Sequence, residues 1–93
     1  IVPCVREDIP LEECAPMDMS AAIENLLLEC VEHGLGAVWM AVEGYPDRTH
    51  AVRKALSIPF DLTPFALVPC GEPEGEVVPH GLERFDASRI HYC

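Results

Sequence analysis

The side chains in this sequence that could do chemistry are scattered, and spacing decides which chemistry they support. Cys30 and His33 stand at i and i+3, a spacing that could begin a zinc site, with His91 and Cys93 as two further ligands. The two pairs lack a recognised zinc-motif spacing, however, and Cys30 lies in an apolar stripe where cysteine behaves as a small hydrophobe. No metal is expected. Glu12-Glu13 and Glu74 with Glu76 form carboxylate pairs, but in polar loops with no apolar wall to raise a pKa, so they read as solvated charge. No serine sits in a Gly-x-Ser-x-Gly turn, and neither G-x-G-x-x-G nor G-x-x-x-x-G-K occurs, which removes elbow-type hydrolases, dinucleotide Rossmann units and P-loops. What remains is Gly34-Leu35-Gly36, a glycine junction at which backbone can approach a flat cofactor.

The elements around that junction are legible from periodicity. Met19, Ile23, Leu26, Cys30 and Val31 recur at three- and four-residue spacing, with Ala22 and Leu27 beside them and Glu24, Glu29 and Glu32 largely elsewhere. This predicts a helix from about Asp18 to His33, with Asp18 at the positive end of the dipole and Gly34 ending it. Ala37 to Val42 then reads as a short buried strand, with Trp39 in the core. Glu43 to Asp47 carries turn chemistry, and Asp47 to Leu56 reads as a second helix with Ala51, Val52, Ala55 and Leu56 inward. Ser57-Ile58-Pro59 ends it, because the residue before proline is pushed out of helical geometry.

Thr63 to Cys70 predicts a second apolar strand, and Ile1 to Val5 an edge strand or strand start because of Pro3. Arg6 to Pro16 reads as a loop or short turn. Gly71 to Gly81 has no apolar period and reads as an arm lying on something else, while Leu82 to Cys93 is too short for a core of its own. The expectation is one α+β domain over residues 1–93, with residues 72–93 as an extended arm.

Bulk properties bound the rest. Ninety-three residues bury only about 60 to 65 per cent of the unfolded surface, so 49% hydrophobic content is high and implies apolar surface that finds its partner on another chain. Sixteen acidic against six basic residues give a net charge of −10, which repels nucleic acid and anionic membrane alike. Five scattered cysteines without a C-x-x-C pair point to a reduced, cytoplasmic setting, and no signal peptide, lipidation motif or membrane-spanning apolar run is apparent. The chain opens on Ile1 rather than Met, which suggests processing or a fragment.

Five motifs follow one another in order: Asp18-x-x-Ala21-Ala22-Ile23-Glu24-Asn25-Leu26-Leu27-Leu28; Gly34-Leu35-Gly36-Ala37-Val38-Trp39-Met40; Arg53-Lys54-x-Leu56-x-Ile58-Pro59; Pro64-Phe65-Ala66-Leu67-Val68-Pro69-x-Gly71-x-Pro73; and Arg84-Phe85-Asp86-x-x-Arg89-Ile90-His91-Tyr92. Together they resemble the C-terminal half of the nitroreductase family of flavin enzymes. The resemblance implies an α+β half-fold that dimerises and binds FMN between subunits. It also implies hydride transfer from NAD(P)H to nitroaromatic, quinone or similar small-molecule acceptors.

Carried over by position, the backbone contact to the flavin falls on Ala41 and Val42, with Glu43-Gly44 as the alternative register. The phosphate contact falls on Arg84, whose planar guanidinium suits a phosphate. Leu82 stands where many members carry a lysine or arginine, and His80 is a poorer substitute. The arginine-rich phosphate motif of the family's N-terminal half has no match here. The resemblance therefore implies either a homodimer or complementing chain that supplies what is lacking, or a non-catalytic oligomerisation or interaction half-domain that has lost the flavin site.

Overall fold

In the computed structural model, which describes residues 1–92, strands β1 (Cys4–Arg6), β2 (Gly36–Ala37), β3 (Met40–Ala41), β4 (Leu62–Pro64), β5 (Ala66–Leu67) and β6 (Cys70–Gly71) accompany two helices, α1 (Ala15–Glu32) and α2 (Pro46–Leu56). Single 3-10 turns lie at Glu12–Cys14, Leu82–Arg84 and Ala87–Arg89. All pairings are antiparallel: β1 with β4, β2 with β6, and β3 with β5. The fold is α+β, in the predicted order of elements.

The three ladders share one central segment, residues 62–71. On one side, Gly36 opposes Gly71 and Met40 opposes Leu67 in a single register, and the N–H groups of Val38 and Val42 continue it to the carbonyls of Pro69 (3.3 Å) and Phe65 (3.2 Å). On the other side, the Phe65 N–H donates to the Pro3 carbonyl at 2.9 Å, and Ile1 and Val68 exchange two bonds at 3.0 and 2.8 Å. Proline has no amide hydrogen, so Pro3, Pro64 and Pro69 leave gaps that cut long neighbours into short strands. Bordered on both sides, the central segment holds buried Phe65, Ala66 and Val68, which with Ile23 form the core. Val5, Met19, Leu26, Leu27 and Ala37 pack against it, half-buried.

α1 starts three residues earlier than the expected Asp18, because Pro16 in the first turn costs no hydrogen bond that a helix start would make. It ends as predicted. The N–H of Leu35 donates to the Cys30 carbonyl (2.8 Å) and that of Gly34 to Val31 (3.0 Å), a Schellman closure with Gly34 at φ 70°. Ile23 is 1% exposed, yet Val31 is 72% exposed and Ala22 is also on the outside. At 3.6 residues per turn these two lie about 80° and 100° from Ile23 on opposite flanks, beyond the reach of the sheet.

The segment 37–42 corrects the expectation of a buried strand. Only Val42 is buried, while Val38, Trp39, Met40 and Ala41 are exposed, because among the described residues no strand pairs with the outer side of β3. The inner face of α2 is also revised. Ala51, Ala55 and Leu56 are exposed, and Thr49, Val52 and Arg53 are the half-buried positions.

Residues 72–92 contain no helix longer than a 3-10 turn and no strand, and every one is exposed. Their hydrogen bonds among the described residues are local. The radius of gyration is 16.5 Å, against about 12 Å for a compact chain of this length.

Candidate functional site

The outer edge of β3 is where backbone hydrogen-bonding groups face open space. In an antiparallel ladder, alternate residues direct their N–H and C=O groups to the partner strand. Val42 does so, donating its N–H to Phe65, so Ala41 between Met40 and Val42 directs its own groups outward. The Ala41 carbonyl accepts from Arg48 Nη1 at 3.0 Å, which confirms that direction. The two residues expected to share a backbone contact therefore differ: the Ala41 N–H faces the open edge, while the Val42 N–H is committed within the sheet. In the alternative register, the Glu43 N–H is also taken, donating to Phe65 at 2.9 Å.

The turn after β3 builds the surroundings of this edge. The Tyr45 N–H returns to the Val42 carbonyl at 3.2 Å, with Gly44 at φ 79°, a conformation glycine adopts without strain. Thr49 Oγ1 donates to that same carbonyl at 3.2 Å and ties α2 to β3. Arg48 lies over the Tyr45 ring, 4.1 Å from its centroid, so a guanidinium and an aromatic face sit beside Ala41. Trp39 is at the margin of the sheet rather than in the core, with its ring 6.4 Å from that of Phe65.

Arg48 escaped the sequence reading, since nothing in its spacing marks it. The only available signal was a basic residue in the first turn of a helix that a glycine-proline turn folds back on β3.

Arg84 lies in the 3-10 turn of the arm, exposed, and among the described residues no hydrogen bond or salt bridge joins it to the Ala41 edge. Of the other five basic residues, exposed Lys54 is likewise in no salt bridge among the described residues, and the remaining four are engaged. Arg6 pairs with Asp8 (2.7 Å), Arg48 holds Ala41, Arg53 closes α2 through the Ile58 and Pro59 carbonyls, and Arg89 pairs with Asp86 (3.2 Å). Among the described residues Arg84 takes part in no salt bridge. Leu82 and His80 nearby are exposed.

The pairs that suggested metal or acid–base chemistry are separate. His33 Nε2 lies 2.9 Å from Glu29 Oε1, and Cys30 Sγ lies 3.3 Å from Cys70 Sγ, so Cys30 and His33 have different partners. His91 is exposed, and Cys93 falls outside the described residues. Glu12 borders a cavity of 390 Å³ with Val5, Arg6, Glu43 and Phe65, whereas Glu74 and Glu76 stand exposed in the arm. No helix among the described residues is long and apolar enough to cross a membrane.

The profile of the nitroreductase family matches residues 5–72. A protein of Methanothermobacter thermautotrophicus, named provisionally as an NADH dehydrogenase/NAD(P)H nitroreductase, is 40% identical over 74 residues, 80% of this chain and 38% of the relative. A crystal structure from Parabacteroides distasonis with the same provisional name superposes with a TM-score of 0.81 at 38% identity, over 98% of this chain and 52% of the other. A Clostridium difficile protein named FMN-dependent nitroreductase shares the fold at a TM-score of 0.80 and 21% identity, over 98% of this chain and 54% of its own. The chain thus spans about two fifths of the Methanothermobacter relative and about half of these solved structures.

Proposed function

The chain belongs to the nitroreductase family, and from that premise we propose that it forms one half of an FMN-dependent oxidoreductase acting between NAD(P)H and nitroaromatic, quinone or similar acceptors. When bound, FMN would supply the hydride chemistry between NAD(P)H and the acceptor. The chain supplies position. The outward Ala41 N–H is the observation that carries this reading, because a strand edge with a fixed, unshared donor matches the ring-edge acceptor of a flat cofactor. The peptide unit after Ala41 is clamped from both sides, its oxygen by Arg48 and its N–H by Phe65, so the edge is held without rearrangement.

Val42, buried at 3% exposure, supports this edge from beneath. Arg84 is the phosphate ligand in this reading, being the arginine whose side chain has neither a hydrogen-bond nor an ion-pair partner among the described residues, in a chain of net charge −10. It reaches the phosphate only if the arm is laid against a body, and here the surface supports a partner. The accessible area is 7647 Å², against about 5,300 Å² for a compact monomer of this mass. The surplus exceeds the roughly 800 Å² per partner of a standard interface. A second copy, or a complementing chain of the family's other half, is the partner this reading requires.

The test is a titration of FMN with the purified chain, followed by flavin fluorescence and then by bleaching with NADH or NADPH. Quenching and bleaching support the oxidoreductase. A chain that leaves flavin fluorescence unchanged both alone and mixed with a chain of the family's other half, yet forms a dimer by light scattering, is instead a non-catalytic interaction half-domain.

A further inference from the structure

Cys30 and Cys70 are separated by 40 positions, and the fold brings their sulfurs to 3.3 Å. Cys30 belongs to the last turn of α1 and is 7% exposed; Cys70 lies in β6, opposite Ala37, and is exposed. The Gly34 closure of α1 sets this approach, since it turns the chain at once into β2, whose partner strand carries Cys70. Cys4 and Cys14 lie elsewhere: the Cys4 thiol faces the Val2 carbonyl at 3.5 Å, and Cys14 ends the 3-10 turn before α1.

We propose that Cys30 and Cys70 are a dithiol pair which a small-molecule disulfide converts to an intrachain disulfide, pinning the root of the C-terminal arm to the end of α1. Cys70, the accessible sulfur, loses its proton and attacks the small-molecule disulfide. A mixed disulfide forms and one thiolate leaves. Cys30 then loses its proton and attacks the Cys70 sulfur, the protein disulfide forms, and the second thiolate leaves. Two protein thiols are oxidised, one small-molecule disulfide is reduced to two thiols, and the two protons released are taken up by the leaving thiolates. The sulfurs must approach from 3.3 Å to the roughly 2.0 Å of a bond, a movement that side-chain rotation and the short β2–β6 ladder can absorb.

The hydrogen bond between the two thiols, with burial, holds the Cys30 thiol above its ordinary pKa. Once Cys70 is in the mixed disulfide only burial still acts on Cys30, and its attack, which needs the thiolate, quickens as pH rises. β6 is the last element before residue 72, so the disulfide fixes where the arm leaves the body. This inference is independent of FMN.

The experiment treats the reduced full chain with glutathione disulfide under native conditions and reads intact mass and linked peptides. The expected product has lost two hydrogens, retains no glutathione, and carries a Cys30–Cys70 peptide link that forms faster at higher pH. Cys70→Ser abolishes the product, whereas Cys14→Ser leaves it unchanged. Parallel oxidation in denaturant gives mixed pairings. The proposal is overturned if glutathione accumulates on Cys70 while Cys30 stays reduced, if Cys70 links to a second chain, or if native pairing is no more selective than pairing in denaturant.

Discussion

The body, residues 1–71, and the arm, residues 72–92, both contain apolar residues, and only the body buries any of them. Ile23, Phe65, Ala66 and Val68 meet because an amphipathic helix lies on a sheet bordered at both sides of its central segment. Val77, Val78, Leu82, Phe85, Ile90 and Tyr92 meet nothing comparable and stay exposed. Apolar residues fold a segment only when the chain also offers a face to receive them. The arm has the residues without the face.

The sharpest way to break this contrast is by truncation. Ile23→Ala should cost about 2 to 5 kcal/mol in a urea melt, since the side chain is 1% exposed. Leu27→Ala should cost roughly half as much, because Leu27 is only half-buried. Phe85→Ala in the arm should leave the melt of the isolated chain unchanged. A comparable loss at Phe85 would mean that the arm contributes to the body's stability.

The arm's own role is sharpened by its arginines. Arg84→Ala should weaken FMN binding roughly ten- to a hundredfold, the range for a hydrogen bond to a charged group. Arg89→Ala should weaken it less than about fivefold, since its guanidinium already holds Asp86. Equal losses at one salt concentration would reduce both to a diffuse charge effect, and a larger loss at Arg89 would move the phosphate there.

Within the body, Gly34→Ala should cost about 1 kcal/mol through backbone strain alone, because a Cβ there meets nothing within 4 Å. A neutral result would show that the junction relaxes, and the sulfur–sulfur approach should then loosen with it.

The smallest effect is a pH response confined to the arm. The Ser88 hydroxyl (2.6 Å) and N–H (3.0 Å), then Arg89, hold the Asp86 carboxyl below the ordinary aspartate range. A depressed pKa adds stability that is present above the unfolded value, about 3.9, and is lost as pH falls through the lower folded value. Carboxyl chemical shifts should report that low midpoint, and the 87–89 turn should loosen with it. The body's melt should not move across the same window.

Much of the fold was legible because periodicity and glycine report local geometry directly. α1, its Gly34 stop and the order of elements follow from those signals. The exposed 38–41 stretch did not, since a run of apolar residues reads the same whether a neighbouring strand covers it or not. The exposure of residues 38–41 and the shifted inner face of α2 depend on partners distant in sequence. The same holds for the site. The family resemblance points to Ala41 and Val42 together, only strand register separates the two, and neither Arg48 nor the Cys30–Cys70 approach is marked by spacing in the sequence.

Under the proposed function, the arm is ordered by the cofactor site rather than by the chain's own core. Backbone hydrogen exchange, measured with and without FMN, tests it most directly. The account predicts slow exchange in α1 and in residues 62–68 under both conditions. It predicts fast exchange through 72–92 without FMN, and new protection at Ala41 and around Arg84 when FMN is added. Protection of the arm in the absence of FMN and of any partner would contradict it, as would FMN binding that leaves both Ala41 and the Arg84 turn exchanging as before.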